Sequence, residues 1–208
     1  MHTQTPEARD NLTPTDALQI LKDGNGRFCA GEKADRNLLQ QVSETAGGQW
    51  PFAVVLSCVD SRTSTELIFD QGIGDVFNAR IAGNFLNDDI LGSMEFACHV
   101  AGAKLIVVLG HSHCGAIKGA CDHVELGHLT GMLKNIQPAI EAVPTPSEAS
   151  ERTSANDGFV DAVARENVRM GVDGIAKRSG VLRGMLESGS IGIVGGMYDI
   201  TTGKVEFF

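Results

Sequence analysis

Two short stretches of the 208-residue sequence carry side chains that could hold a metal ion: Cys58-Val59-Asp60-Ser61-Arg62 and His111-Ser112-His113-Cys114-Gly115. Two thiolates and one imidazole make a three-ligand set for Zn²⁺, and a catalytic zinc differs from a structural one by leaving its fourth position to water or substrate. Cys58, His111 and Cys114 supply such a set. Asp60 lies two residues beyond Cys58, so an extended backbone would turn its carboxylate to the metal-facing side, with Arg62 at the next alternate position. Two partners are open to it. As a fourth ligand it would close the site; paired with Arg62 by charge-assisted hydrogen bonds it would instead accept one from a zinc-bound hydroxide. Singly, each motif has a plainer reading: a strand-end cysteine is more often buried than ligating, and an Asp and Arg pair in a turn is ordinary on a surface. The combination is much stronger than either part.

The elements that would position these residues follow from hydrophobic pattern. Phe52 to Ser57 is a short, continuous apolar and β-branched run, the mark of a strand covered on both faces, and it delivers Cys58 at its end. Leu105 to Gly110 is a second such run and ends in His111, with helical sequence resuming at Ala116. Between them, Thr63 to Asp70 reads as helix and Asp75 to Ile81 as strand, followed by the loop Ala82-Gly83-Asn84 and a helix over about Asp88 to Val100. Thr13, Pro14 and Asp16 open an N-terminal helix that ends between Gly24 and Gly31. Further on come a helix near Leu129 to Ala142, an exposed connection from Val143 to Ser154, and a long helical region from about Asp157 to Glu187. Ile191 to Tyr198 and Lys204 to Phe208 close the chain as a β-hairpin. The expected architecture is α/β, a mainly parallel sheet flanked by helices. Ligands in such sheets collect beyond the carboxyl ends of the strands, which is where both motifs fall. One domain is expected over 1–208, with a helical arm over about 1–48 and an α/β core over 49–208.

Composition narrows the function classes. With 17 Lys and Arg against 26 Asp and Glu the formal charge is −9, and aromatic residues are few, so neither the basic footprint nor the stacking platforms of a nucleic-acid binder are present. No apolar run approaches the roughly 18 residues of a membrane helix, and the polar first dozen residues lack the pattern of a secretion signal, so a cytoplasmic protein is expected. Five cysteines, odd in number and without C-x-x-C, favour metal binding or catalysis over disulfides. Cys29, Cys98 and Cys121 read as small buried apolar residues, and Gly195-Gly196 as tight packing or a bulge in the hairpin. His113 is expected outside the ligand set, because a chain turning into a helix need not keep alternation. His99, His123 and His128 have no ligand-spaced partner and read as surface or satisfied histidines.

In these residues the chain resembles the β-class carbonic anhydrases, whose C-x-D-x-R followed by H-x-x-C-G stands here at Cys58 to Arg62 and His111 to Gly115. The resemblance runs in order from about Thr13 to Phe208 and includes the R-x-A-G segment Arg80 to Gly83. It implies one Zn²⁺ per chain held by Cys58, His111 and Cys114, with Asp60 and Arg62 as the catalytic dyad and Asp60 able to ligate the metal in a closed form, a possible pH switch. Gln49, nine residues before Cys58, together with Phe77 and Gly115, matches the substrate-binding positions of the plant-like subtype. Val55 stands where the self-closing subtype carries a tryptophan, which implies an open site. Val59 and Phe96 depart from the common pattern, the latter replacing a frequent tyrosine. The implied activity is reversible hydration of carbon dioxide to bicarbonate, in a homodimer or a dimer of dimers. Carbonyl sulfide or carbon disulfide hydrolysis on the same zinc is the first alternative, and a non-catalytic zinc protein the second.

Overall fold

Strands that are apolar at every position need sheet neighbours on both edges and helices on both faces. The computed structural model describes residues 3–208 and places Ala53–Ser57 and Leu105–His111 in that setting, every residue of both being buried. In chain order the elements are α1 (Pro6–Asp10), α2 (Pro14–Ala30), α3 (Leu38–Thr45), β1 (Ala53–Ser57), α4 (Thr65–Ile68), β2 (Val76–Arg80) and α5 (Asp88–Glu95). There follow β3 (Leu105–His111), α6 (Gly115–Cys121), α7 (Gly127–Leu133), α8 (Gln137–Ala142), α9 (Asp157–Arg178), α10 (Gly180–Glu187), β4 (Gly192–Tyr198) and β5 (Val205–Phe207). The sheet order is β2-β1-β3-β4-β5, parallel except for the terminal β4–β5 hairpin.

Alternation along β1 and β3 divides the core in two. Val54, Leu56, Ile106 and Val108 face the cluster that includes Met94, Ile117, Phe159 and Val168, whereas Ala53, Val55, Leu105, Val107 and Leu109 face Ala17, Leu21, Phe52, Ile68 and Phe69. The N-terminal helix α2 therefore packs on its own sheet. It begins in a capping box between Thr13 and Asp16 and ends at Gly31 with φ 72°, a left-handed cap that glycine adopts without cost. Asn25 fixes its other end, donating to the carbonyls of Ile68 and Gly203 and accepting from the Val205 N–H.

Several helical segments are shorter than pattern predicts. The stretch expected as one helix over 129–142 is two, because Pro138 has no N–H to continue α7 and instead occupies the first turn of α8. The stretch 157–187 breaks at Ser179, whose backbone is extended; its hydroxyl accepts from the Leu182 N–H to cap α10 and donates to Glu95. The helix expected over 63–70 is the single turn α4, and the one over 88–100 passes after Glu95 into a π-helical turn, Phe96–Val100. α1 and α3, capped by Thr5 and Asn37, are short helices of five and eight residues that the pattern does not single out. The connection 143–154 is pinned by Arg152, which donates to the carbonyls of Ile140, Val143 and Pro146 and lies over the Phe159 ring. Gly195 and Gly196 are close-packed, as expected: a Cβ at Gly195 would sit 2.8 Å from Phe208 and 2.9 Å from Val168. Among the described residues no helix is long and apolar enough to cross a membrane.

Candidate metal centre

β1 and β3 are parallel neighbours with Ser57 opposite Leu109, so Cys58, just past β1, and His111, the last residue of β3, emerge at one rim. Cys114 follows as the residue preceding α6. One ligand atom from each of Cys58, His111 and Cys114 lies within 4.8 Å of the others, and all three residues are buried. The two sulfurs are 3.9 Å apart. With Zn–S bonds of about 2.3 Å, a tetrahedral ion sets two thiolates roughly 3.8 Å apart. The imidazole is preset for the same purpose. Nδ1 of His111 lies 2.9 Å from the Ser112 carbonyl, which can only accept, so the ring proton sits on Nδ1 and Nε2 keeps its lone pair. That Nε2 is buried without a hydrogen-bond partner, a costly state for a polar atom unless a cation takes the lone pair. The donor set fits zinc.

The electrostatics of the thiol pair point the same way. Sγ of Cys58 is held toward the thiolate, chiefly by the hydrogen bond from the Cys114 thiol, with a further N–H from Gly83 at 3.4 Å. Cys114 is pushed up in turn, first by donating that hydrogen bond to Cys58 while keeping its proton and then by burial, although the Ala116 and Ile117 amides of the first turn of α6 oppose this. The pair thus shares one proton where a divalent cation would replace it. The other cysteines are unlike these. Burial pushes the Cys98 and Cys121 thiols up to about 12 and about 11, as core residues should be. Cys29 is a correction: it is exposed, because it falls on the outer face of α2.

Asp60 sits on a turn immediately after the ligand strand. Its two carboxylate oxygens accept from Nε and Nη2 of Arg62 at 2.9 and 2.7 Å, and Oδ1 also accepts from the Arg62 backbone N–H at 2.9 Å. These bonds, with the guanidinium charge behind them, hold its carboxyl well below the usual carboxylate range. The carboxylate is not one of the three clustered ligand groups. The turn itself is clamped by Arg80 at the end of β2, whose Nε donates to the Cys58 carbonyl at 2.9 Å and whose Nη2 donates to the Asp60 carbonyl at 2.6 Å.

The remaining expected positions are scattered within one chain. Gln49 precedes β1 and is exposed beside Thr45, Gly48 and Ile73, at the end of that strand opposite Cys58. Phe77 is paired with Val54, well short of the rim, and lines a cavity with Phe96, the rings meeting edge to face at 6.1 Å. Gly115 opens α6 next to Cys114 and is exposed, with open space where a Cβ would lie. His113 turns away in a left-handed conformation, φ 53°, its Nδ1 3.4 Å from Asp157. Sequence reasoning assigned no part to Arg80, Gly83 or Asn167, although Arg80 and Gly83 lie in a stretch it singled out; Asn167 left no signal beyond being a polar residue on an apolar helix face.

Residues 53–205 match the sequence model of the family described as carbonic anhydrase. A carbonic anhydrase of Mycolicibacterium smegmatis is 37% identical over 198 residues, covering 94% of each chain. Carbonic anhydrase 2 of Mycobacterium tuberculosis is 38% identical over 199 residues, covering 93% of this chain and 92% of that one. Among solved structures, a tetrameric β-carbonic anhydrase of the ascomycete Sordaria macrospora superposes with a TM-score of 0.68 at 24% identity, over 80% of this chain and 84% of its own. With this sheet order and a buried Cys-His-Cys cluster at the strand ends, the chain belongs to the β-class carbonic anhydrase family.

Proposed function

We propose that this carbonic anhydrase performs the reversible hydration of carbon dioxide to bicarbonate and a proton on one Zn²⁺ held by Cys58, His111 and Cys114. The observation that carries the reading is the buried trio itself: two sulfurs 3.9 Å apart facing an imidazole nitrogen with no other partner. When bound, zinc acidifies a water to near neutrality and so supplies a nucleophile at physiological pH. The chain's residues do the rest. Cys58 and Cys114, as thiolates, pass more negative charge to the ion than neutral imidazoles would, which weakens that acidification. Asp60 is ionised and acceptor-only, so it would accept a hydrogen bond from a water held at the centre and so orient it for the substrate. Arg62 keeps the carboxylate in that orientation and away from the metal. The exposed Gly115 amide is a donor to the substrate oxygens. This arrangement supports an open, plant-like site, as does Val55, a fully buried valine at the position where the self-closing subtype carries a tryptophan.

Gln49 and Phe77 serve a second copy of the chain in this reading. Five strand residues span roughly 17 Å, so Gln49, which precedes β1, does not reach the metal rim of its own sheet. Strand β2 is an open edge with Leu67, Phe96 and Val100 exposed on neighbouring elements, a surface suited to a symmetric partner. A homodimer, or a dimer of dimers, of single-domain subunits working in the cytoplasm completes the proposal. The direct test is carbon dioxide hydration by the purified protein, before and after chelation and zinc replenishment. Activity that vanishes with the metal and returns with it is expected. Full activity in metal-free protein, or none in zinc-loaded protein, would sink the assignment; carbonyl sulfide and carbon disulfide as parallel substrates show whether turnover is restricted to carbon dioxide.

A further inference from the structure

We propose that Asn167, in the middle of α9, is a positioning residue for the metal centre: it holds the Gly83 turn whose N–H donates to Sγ of Cys58, and thereby sets how strongly that sulfur donates charge to the ion. The inference rests on Cys58 being a metal ligand.

The turn is conformationally demanding. Gly83 and Asn84 are successive left-handed residues, φ 82° and 40°, between the end of β2 and α5. Only glycine serves at the first position, since a Cβ there would also lie 2.7 Å from Ile136 Cδ1; Asn tolerates the second. Two bonds hold this shape. The Asn84 N–H reaches back to the Ile81 carbonyl at 2.9 Å, and Nδ2 of Asn167 donates to the Gly83 carbonyl at 2.8 Å across 84 residues of sequence. The result is a Gly83 N–H aimed at Cys58 Sγ at 3.4 Å. Asn167 is 5% exposed in a helix face otherwise built of Val160, Val163, Ala164, Val168 and Gly171. An asparagine there lowers helix propensity and costs desolvation of an amide, so an apolar residue would serve packing better. What the amide adds is the fixed turn. A hydrogen bond to a thiolate withdraws charge from sulfur, and outer partners of this kind tune both metal affinity and reactivity.

The test uses the full-length protein loaded with cobalt or cadmium. Asn167→Leu removes the donor on the same branched heavy-atom skeleton, Asn167→Ser removes it with a smaller side chain, and Val168→Ala weakens packing on the same helix without touching the turn. In the cobalt protein we expect the thiolate-to-metal charge-transfer band to move to longer wavelength in both Asn167 variants, because a sulfur relieved of its hydrogen bond is easier to oxidise. For the zinc forms we expect kcat roughly tenfold lower with KM changed by less than about twofold. Val168→Ala should lower thermal stability yet leave the band in place. In wild type loaded with ¹¹³Cd, the Gly83 amide proton should show scalar coupling to the metal through the N–H···S bond, a measurement that needs no variant to fold. No such coupling, an unmoved band in a folded Asn167 variant, or an equal shift in Val168→Ala would overturn the inference. Failure of the ligand reading looks different: wild type then shows no thiolate band, or Cys58→Ser keeps it undiminished.

Discussion

The imidazole of His111 and the carboxylate of Asp60 are each committed by one neighbour, and the proposed chemistry rests on those commitments. Ser112 fixes the His111 tautomer, and Arg62 fixes Asp60 in its ionised, acceptor-only form. Asp60→Asn replaces one acceptor oxygen by a donor facing a guanidinium. Hydration measured by stopped flow should therefore fall about 10- to 100-fold at unchanged zinc content; a zinc-replete variant with wild-type rates would make Asp60 a bystander. Thiol chemistry offers a second check on residue environments. Cys29 is exposed, whereas burial pushes Cys98 and Cys121 far above neutrality, and the thiolate is the reactive form. In zinc-loaded native protein an alkylating reagent at neutral pH should modify Cys29 first, with Cys98 and Cys121 labelled only after unfolding, as read by peptide mass spectrometry.

At the scale of elements, the N-terminal arm is tied to the core through Asp70, which is left-handed at φ 44° and 7% exposed. Its carboxylate accepts from Arg27 on α2, from Arg36 and from the Ala34 N–H. Burial alone would raise its carboxyl, but these bonds outweigh burial and hold it below the ordinary value. A group depressed on folding contributes stability above its unfolded pKa, about 3.9, and loses that contribution as pH falls through the folded value. Asp70→Asn leaves two guanidinium groups without their shared anion and should cost about 3 kcal/mol near neutrality. Urea denaturation of both proteins from pH 7 downward checks the sign: the gap should shrink in acid, and a gap independent of pH would refute the account. Gly83→Ala is a second element-scale prediction. The left-handed φ and the contact with Ile136 together should cost about 2 kcal/mol or more, with hydration activity lost alongside, because the turn that reaches Cys58 is displaced.

For the whole molecule, one chain brings Cys58, His111 and Cys114 together, whereas the proposed substrate contacts Gln49 and Phe77 lie elsewhere on it. The ligands sit past the carboxyl ends of β1 and β3, while Gln49 lies before β1 and Phe77 partway along the open edge. If a second copy supplies them, two inactive variants with lesions in different chains complement each other. Cys58→Ser and Gln49→Ala, each impaired alone, should regain hydration activity when unfolded and refolded together, because some mixed dimers then hold one intact site. Light scattering should show a dimer or larger at working concentration. A fully active monomer, or mixed samples no better than the average of their parents, would place Gln49 outside the chemistry.

The two buried strands were legible because five successive apolar residues, Phe52 to Leu56 and Leu105 to Leu109, are too few for a buried helix and fit a strand covered on both faces, and the ligand motifs were legible because they stand where such strands end. The parallel alternation of strand and helix then implied the sheet, and the capping residues of α2 announced its start. Helix breaks at Pro138 and Ser179 were less visible, since apolar spacing continues across them while the backbone does not. Which residues could bind an ion, and that they lie at strand ends, could be read from the chain alone, for side-chain chemistry and periodicity are local properties. Packing in three dimensions was needed to show that Asp60 is paired with Arg62 beside the clustered Cys58, His111 and Cys114, that Gln49 and Phe77 lie away from the rim where that cluster sits, and that Asn167 reaches Gly83 from 84 residues away. Those outcomes depend on which surfaces meet, and a hydrogen bond between distant segments leaves no periodic trace in the chain that makes it.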